Sequence, residues 1–481
     1  MNIFDPSKGT VSAVSHPLYT RWRVTENIIA RYARIHYSQY EEDADVRPSF
    51  HKVLRTSEAT HKKKSKETQP MEMKFRFLGG ADSIGRMGMT MEGAGKTFLV
   101  EYGLSATKPP EYPMPAPRVD HVFLTHCHLD HCGMIPQVCG RDRCELFTTP
   151  LTAEVSEIMM YDSLKIAKAE NYPQPYTTGD IERTMRNVVP MTYGDTFDVG
   201  KVEVTMHSAG HVPGAAMFEF GVDTNTVYSG DIHTIRQRLV GPAKPVECEN
   251  LFIEGTYGGR SHPDRKAVEK EFLDKIAEVV DRGGTALIPS FATGRTQEIM
   301  ILLRNQGYEM WVDGMGRSVT RLYLDYPEYL SDAKDLKTAK RKFNEVRNAN
   351  MRRDAARAEV IVTTGGMLDG GPVLGYINRL KDDPHNAVLL VGYQADDTNG
   401  KLLMEDGCIK IENEVYKVNC EVQKYDFSAH ADHQQIVDFV KACDPTNVVI
   451  MHSETREAFL DDLADYNVIL PATGEEFTLD I

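Results

Sequence analysis

The pattern of apolar and polar positions changes character along the chain. Before residue 70 only Arg21 to Tyr40 shows a helical period, with Val24, Ile28, Ile29, Tyr32 and Ile35 near one face and Arg21, Arg23, Arg31 and Arg34 around them. A basic run, His61-Lys62-Lys63-Lys64-Ser65-Lys66, follows and reads as a solvated linker. From Met73 the period shortens. Phe75 to Phe77, Thr97 to Val100, Val202 to Met206, Ala216 to Phe220, Thr226 to Tyr228 and Leu251 to Ile253 read as strands, with a helix near Thr152 to Ala169. Between about Tyr257 and Asn419 the runs Thr285 to Pro289, Met310 to Val312, Val360 to Thr363 and Ala387 to Val391 are almost continuously apolar, and each leads into a glycine-bearing turn. Such runs fit strands buried on both faces, and helical patterns such as Thr296 to Asn305 alternate with them. The pattern predicts an α/β protein. Residues 1–70 read as a helical extension and basic linker, 71–256 and 420–481 as layered α/β segments, and 257–419, between them, as a parallel-sheet, Rossmann-like segment.

A length of 481 residues exceeds what one core holds, which agrees with that division. No apolar run reaches membrane-span length, and Met1-Asn2-Ile3-Phe4-Asp5-Pro6 lacks a basic-then-apolar leader pattern; a cytoplasmic protein with no membrane partner is expected. Eight cysteines without a C-x-x-C pair do not make a disulfide framework, so Cys127, Cys132, Cys139 and Cys144 are read as reduced, partly buried thiols. The net charge of −15 argues against tight non-specific binding of polyanions, though it leaves room for a local basic patch.

The chemistry concentrates in Leu124-Thr125-His126-Cys127-His128-Leu129-Asp130-His131. At a strand end, His126 and His128 emerge on the same face, and Asp130 and His131 follow where the chain turns into a helix. These ligand types at this spacing suit Zn²⁺. Three more segments bring a ligand to a strand end or turn: His211 in Ser208-Ala209-Gly210-His211, Asp231 in Tyr228-Ser229-Gly230-Asp231, and His452 after Val448 to Met451.

In this order the set resembles the metallo-β-lactamase superfamily, whose fold is an αββα sandwich with a di-zinc site at one edge. The resemblance puts His126, His128 and His211 on one Zn²⁺, Asp130, His131 and His452 on the other, and Asp231 between them. His207 and His233 match no ligand position and are read as orienting or structural. Ile253-Glu254-Gly255-Thr256-Tyr257-Gly258, Asp426-Phe427-Ser428-Ala429-His430-Ala431-Asp432 and His452 resemble motifs A, B and C of the β-CASP nucleases, which include the eukaryotic pre-mRNA 3′-end cleavage endonuclease and its archaeal relatives. The likeness extends to Pro289-Ser290-Phe291-Ala292-Thr293-Gly294-Arg295 and Val312-Asp313-Gly314-Met315-Gly316. It implies a zinc-dependent ribonuclease acting on single-stranded RNA in processing, 3′-end maturation or decay, since a histidine at motif C accompanies RNA substrates.

Phosphodiester hydrolysis needs a nucleophile at neutral pH, neutralisation of phosphoryl charge and a proton for the leaving oxygen. Two zinc ions would provide an activated hydroxide and the neutralisation. His430 is the expected general acid, held and polarised by Glu254; with Asp130 these are the expected catalytic residues, and the products are a 5′-phosphate and a 3′-hydroxyl. Arg295, Arg317 and Lys401 are candidate phosphate contacts, whereas Asp397 stands where relatives carry a small residue. The 5′-phosphate pocket of bacterial relatives and the G-x-x-G loop of KH domains are not recognisable, so endonucleolytic and 5′ exonucleolytic cleavage both stay open. The segment Leu470 to Leu479 resembles the end through which archaeal relatives form homodimers. Two rival readings are a non-catalytic RNA-binding subunit, opposed by the complete ligand set, and an ester or lactone hydrolase, opposed by the long insertion.

Overall fold

In the computed structural model the described residues are 72–480, apart from 94, 106, 142, 143 and 413; the amphipathic helix and basic linker expected before residue 70 lie outside them. Alternation along the strands builds a two-sheet sandwich. In Val202–Ser208 the side chains of Val202, Val204 and Met206 are buried while Glu203 is exposed. One seven-stranded sheet runs in the order Glu476–Asp480, Glu72–Gly79, Gly88–Gly93, Lys96–Val100, His121–Phe123, Glu145–Thr148 and Val188–Pro190. The second, also seven-stranded, runs Asn467–Ile469, Asn447–Met451, Asn250–Glu254, Asn225–Tyr228, Ala216–Gly221, Val202–Ser208 and Thr196–Val199.

Their facing sides share one core, in which Phe75, Phe77, Phe98 and Phe123 meet Phe218, Phe220, Phe252 and Val449. The rings of Phe75 and Phe252 are 4.9 Å apart, and those of Phe123 and Phe218 meet edge to face at 5.3 Å. Each such fully buried ring stabilises by about 1.5–3 kcal/mol. Helices cover the outer faces. Ala153, Met160 and Leu164 of the helix Pro150–Ala169 pack with Val122, Leu124 and Leu146, and Ile436, Val437 and Val440 of His433–Cys443 pack with Leu251, Ile253 and Ile450. This is the expected αββα order.

A third sheet has six strands, Phe343–Glu345, Met310–Asp313, Val360–Thr364, Ala286–Ser290, Ala387–Leu390 and Glu421–Lys424, all parallel. Every residue of its four inner strands is buried, which is why the sequence there shows continuous apolar runs instead of alternation. The chain leaves the second sheet at Glu254 and returns through Asp426–Asp432 to Asn447–Met451, which pairs in parallel with Asn250–Glu254. Exit and return therefore meet at one sheet end.

Several short strands were not legible from the pattern, among them Gly88–Gly93, Glu145–Thr148, Val188–Pro190 and Thr196–Val199. Each is six residues or fewer, and tertiary pairing supplies what local propensity lacks. The expectation of four reduced thiols is corrected at one pair. Cys139 and Cys144 form a disulfide because the chain doubles back from the helix Ile135–Cys139 into Glu145–Thr148, bringing their Cα atoms to 5.2 Å, while Cys127 and Cys132 stay free and buried. No helix among the described residues is long and apolar enough to cross a membrane.

Candidate metal centre

The strand His121–Phe123 ends one residue before Leu124, and the next turn of chain carries His126, His128 and the short helix Leu129–Cys132, which holds Asp130 and His131. This loop is threaded against a second one. Tyr102 N–H donates to the His131 carbonyl, Leu104 N–H to that of Leu129 and Met87 N–H to that of Asp130. The fit requires glycine at 103, because a Cβ there would stand 1.7 Å from the Asp130 carbonyl oxygen.

All seven expected ligands come together. Donor atoms of His126, His128, His211 and Asp231 lie within 4.8 Å of one another, as do those of Asp130, His131 and His452, and those of Asp231, Glu254 and His430. His126 Nε2 and His211 Nε2 stand 3.1 and 3.2 Å from His128 Nδ1. Asp231 Oδ2 is 3.3 Å from His126 Nε2 and 3.4 Å from His131 Nε2, while its Oδ1 is 3.1 Å from His452 Nδ1.

The opposite edges of the rings are pinned. His211 Nδ1 meets the Ala429 carbonyl at 2.9 Å, and His128 Nε2 meets Thr293 Oγ1 of the inserted domain at 3.0 Å. Burial, reinforced by His126, pushes the His128 pKa down to about 3, and burial with His430 holds His211 well below the usual range. Both rings thus present neutral nitrogen lone pairs. His131 Nε2 is buried and, among the described residues, faces only the carboxylates of Asp231 at 3.4 Å and Asp130 at 3.6 Å without a well-aligned hydrogen bond. An enclosed cluster of imidazoles and carboxylates, in which His128 and His211 offer neutral nitrogens and Asp231 and Asp130 offer anionic oxygens, fits divalent cations bound by nitrogen and oxygen.

Glu101 escaped the sequence reading and organises the centre. Fully buried, it accepts from His131 Nδ1 at 2.7 Å, from Tyr228 Oη at 2.7 Å and from Thr125 Oγ1, which in turn contacts His126 Nδ1 at 2.9 Å. Burial opposes its charge, yet His131, then His126 and Thr125, hold its pKa below the ordinary range. A signal existed: Glu101 follows the apolar run Phe98 to Val100 just as Glu254 follows Leu251 to Ile253. Its role is to fix the tautomer and direction of His131. Glu101→Gln is expected to weaken metal retention about 10–100-fold, read by competition with a chromophoric chelator. Unchanged retention would remove that role.

His430 sits beside the cluster. Its Nδ1 donates to Glu254 Oε2 at 2.8 Å, and its Nε2 lies 3.9 Å from Asp231 Oδ2. Burial disfavours the charged ring, but Glu254 and then Asp231 outweigh it and raise its pKa above the usual value. Glu254 is itself fixed by the Ile232 N–H at 2.6 Å. The His430 carbonyl is held by His233 Nδ1 at 3.0 Å and His262 Nε2 at 3.1 Å, and His262 Nδ1 is anchored by Asp426 Oδ2 at 2.9 Å. His233 is thus an orienting residue, while His207 pairs with Glu219 at 2.7 Å in the second sheet.

Of the candidate phosphate contacts, Arg317 Nε donates to the Gly314 carbonyl at 3.2 Å, and Lys401 pairs with Glu405 at 3.1 Å and Asp396 at 3.6 Å. Among the described residues Arg295 has no such partner.

Comparison with known proteins matches residues 90–280 to the metallo-beta-lactamase superfamily, 296–403 to the Beta-Casp domain and 415–470 to the Zn-dependent metallo-hydrolase RNA specificity domain. The chain is 35% identical to the probable RNase MJ4 of Methanocaldococcus jannaschii, over 85% of its own length and 100% of that protein's. It is 34% identical to the RNase aCSPSF2 of Saccharolobus solfataricus, over 84% and 85% of the two chains. To the transcription termination factor FttA of Methanococcus maripaludis it is 32% identical, over 93% and 76%. A protein of unknown function from Enterococcus faecalis shares the fold at a TM-score of 0.55 and 13% identity, over 85% of this chain and 100% of that one.

Proposed function

The chain belongs to the β-CASP family of metal-dependent ribonucleases within the metallo-β-lactamase superfamily, and on that premise we propose that it cleaves single-stranded RNA in the cytoplasm, in RNA processing or decay, with two Zn²⁺ ions at the histidine and aspartate cluster. His126, His128 and His211 would hold one ion and Asp130, His131 and His452 the other, and Asp231, whose oxygens stand 3.3 Å from His126 Nε2 and 3.1 Å from His452 Nδ1, would be available to both. Bound there, the ions supply a nucleophile at neutral pH and neutralise charge on the attacked phosphate.

The observation that carries the assignment is the Glu254–His430 pair, 2.8 Å apart at the rim of the donor cluster. An alkoxide leaving from phosphorus needs a proton. His430 holds one on Nε2, the ring edge turned toward Asp231, while Glu254 takes Nδ1–H and fixes the ring. Delivery to the 3′ oxygen leaves a 3′-hydroxyl and a 5′-phosphate.

Single-stranded RNA labelled separately at each end tests this reading and separates internal from 5′-terminal cleavage. Chelation is expected to abolish cleavage and Zn²⁺ to restore it; intact RNA with the untreated protein, or undiminished cleavage after stripping, would reject the reading. We also assign a homodimer through the C-terminal strand Glu476–Asp480, which stands last in its sheet. Sedimentation at the mass of one chain would reject that assignment.

A further inference from the structure

Arg295 opens the helix Arg295–Leu303 and is only 7% exposed. Its Nε is sealed from solvent without a hydrogen-bond partner, and its side chain forms no hydrogen bond or ion pair with any described residue. A guanidinium has five N–H donors and keeps its charge at neutral pH, and leaving such a group enclosed and unpaired is costly. Burial, then the like charge of Arg265, lower its pKa to about 10, so it stays cationic.

The carboxylates near it are already committed. Glu298 accepts from the Arg238 and Leu239 N–H groups and from Arg265. Asp426 accepts from His262 and from the Ser428 N–H. The first N–H groups of the helix are also taken: that of Arg295 by the Thr293 carbonyl and that of Thr296 by the Phe291 carbonyl. Only the guanidinium is left without an acceptor. Its surroundings are those of the reacting centre. Its charge acts on Tyr257, Asp426 and His233. The Tyr257 ring is 4.5 Å from that of His262 and 6.0 Å from that of His430, and Thr293, two residues earlier, contacts His128.

We propose that Arg295 is a phosphate-binding residue that takes a backbone phosphate of the RNA next to the one being cleaved, on the His430 side of the centre. The inference rests on the ribonuclease reading. The planar fork of arginine matches two phosphate oxygens, and an incoming phosphate supplies the acceptors that the protein leaves out. Oligonucleotides, which carry neighbouring phosphates, engage this residue; an isolated diester does not.

The test compares the full-length wild type with Arg295→Met and Arg295→Lys on a single-stranded oligoribonucleotide and on bis(p-nitrophenyl) phosphate, which has one phosphate and no neighbour. Arg295→Met is expected to lose about tenfold more kcat/KM on RNA than on the small diester, as befits one charge-assisted contact. The slope of log affinity for RNA against log salt should fall by about 0.7, one phosphate's share on a single strand. Arg295→Lys should recover part of the RNA loss. Equal losses on both substrates, as a structural role would give, or no loss on RNA, would overturn the proposal. A wild type that hydrolyses the small diester but not RNA sinks the ribonuclease reading, and the salt slope of RNA binding then still decides the role of Arg295.

Discussion

Replacing His430 with alanine is expected to slow single-turnover RNA cleavage by about 10²–10⁴-fold, the range for losing a positioned general acid, with metal content unchanged. The size follows from position: His430 Nε2 is the ring nitrogen turned to the cluster, and its other nitrogen is occupied by Glu254 at 2.8 Å. The pH profile carries the sign. A general acid works while protonated, so activity falls as pH rises through its pKa; because Glu254 and Asp231 hold that pKa above the usual histidine value, the active window extends upward. Glu254→Gln removes the nearer charge and should move the alkaline limb to lower pH. Wild-type rates in His430→Ala would end the general-acid assignment.

The second large effect is expected at Asp231, which is 2% exposed and faces four histidines across 3.1–3.6 Å. Asp231→Ala takes away the carboxylate shared by both groups of donors. Cleavage should fall by at least about 10³-fold, equivalent to roughly 4 kcal/mol of transition-state stabilisation. The metal-free variant should also be less stable by about 3–5 kcal/mol, since a buried ion cluster loses its anion. Burial opposes the Asp231 charge, but the charges of His131, then His430, His452 and His126, outweigh it and hold the pKa well below the carboxylate range, so this stabilisation is present at neutral pH and is lost only as the pH falls far into the acid range. Metal analysis and thermal unfolding check both parts, and a variant with full metal content and full activity would dismiss the shared-ligand role.

How much of this was legible depended on how local the cause was. His126, His128, Asp130 and His131 stand within six positions, so strand geometry alone groups them. The four inner strands of the inserted sheet were readable because burial on both faces leaves a continuous apolar run. His211, Asp231 and His452 became candidate ligands only through family resemblance, since no local rule joins residues so far apart in the chain.

By itself, then, the sequence determined the metal-binding character of the His126 to His131 segment and the parallel strands buried on both faces, while family resemblance supplied the sandwich with its inserted sheet and pointed to His430 and Glu254 as the candidate acid and its carboxylate partner. The tertiary structure decided how these groups are held. Glu101 and His452 adopt left-handed backbone angles, φ 60° and 54°, that few non-glycine residues tolerate without support from their surroundings. Glu101 gathers His131, Thr125 and Tyr228; Thr293 reaches His128 from the inserted domain; His233 and His262 grip the His430 carbonyl; and Arg295 is left charged with no partner. The physical reason is that buried polar groups must find hydrogen-bond partners, and which partner is within reach is set by how the sheets close on one another, a distance that no spacing along the chain encodes.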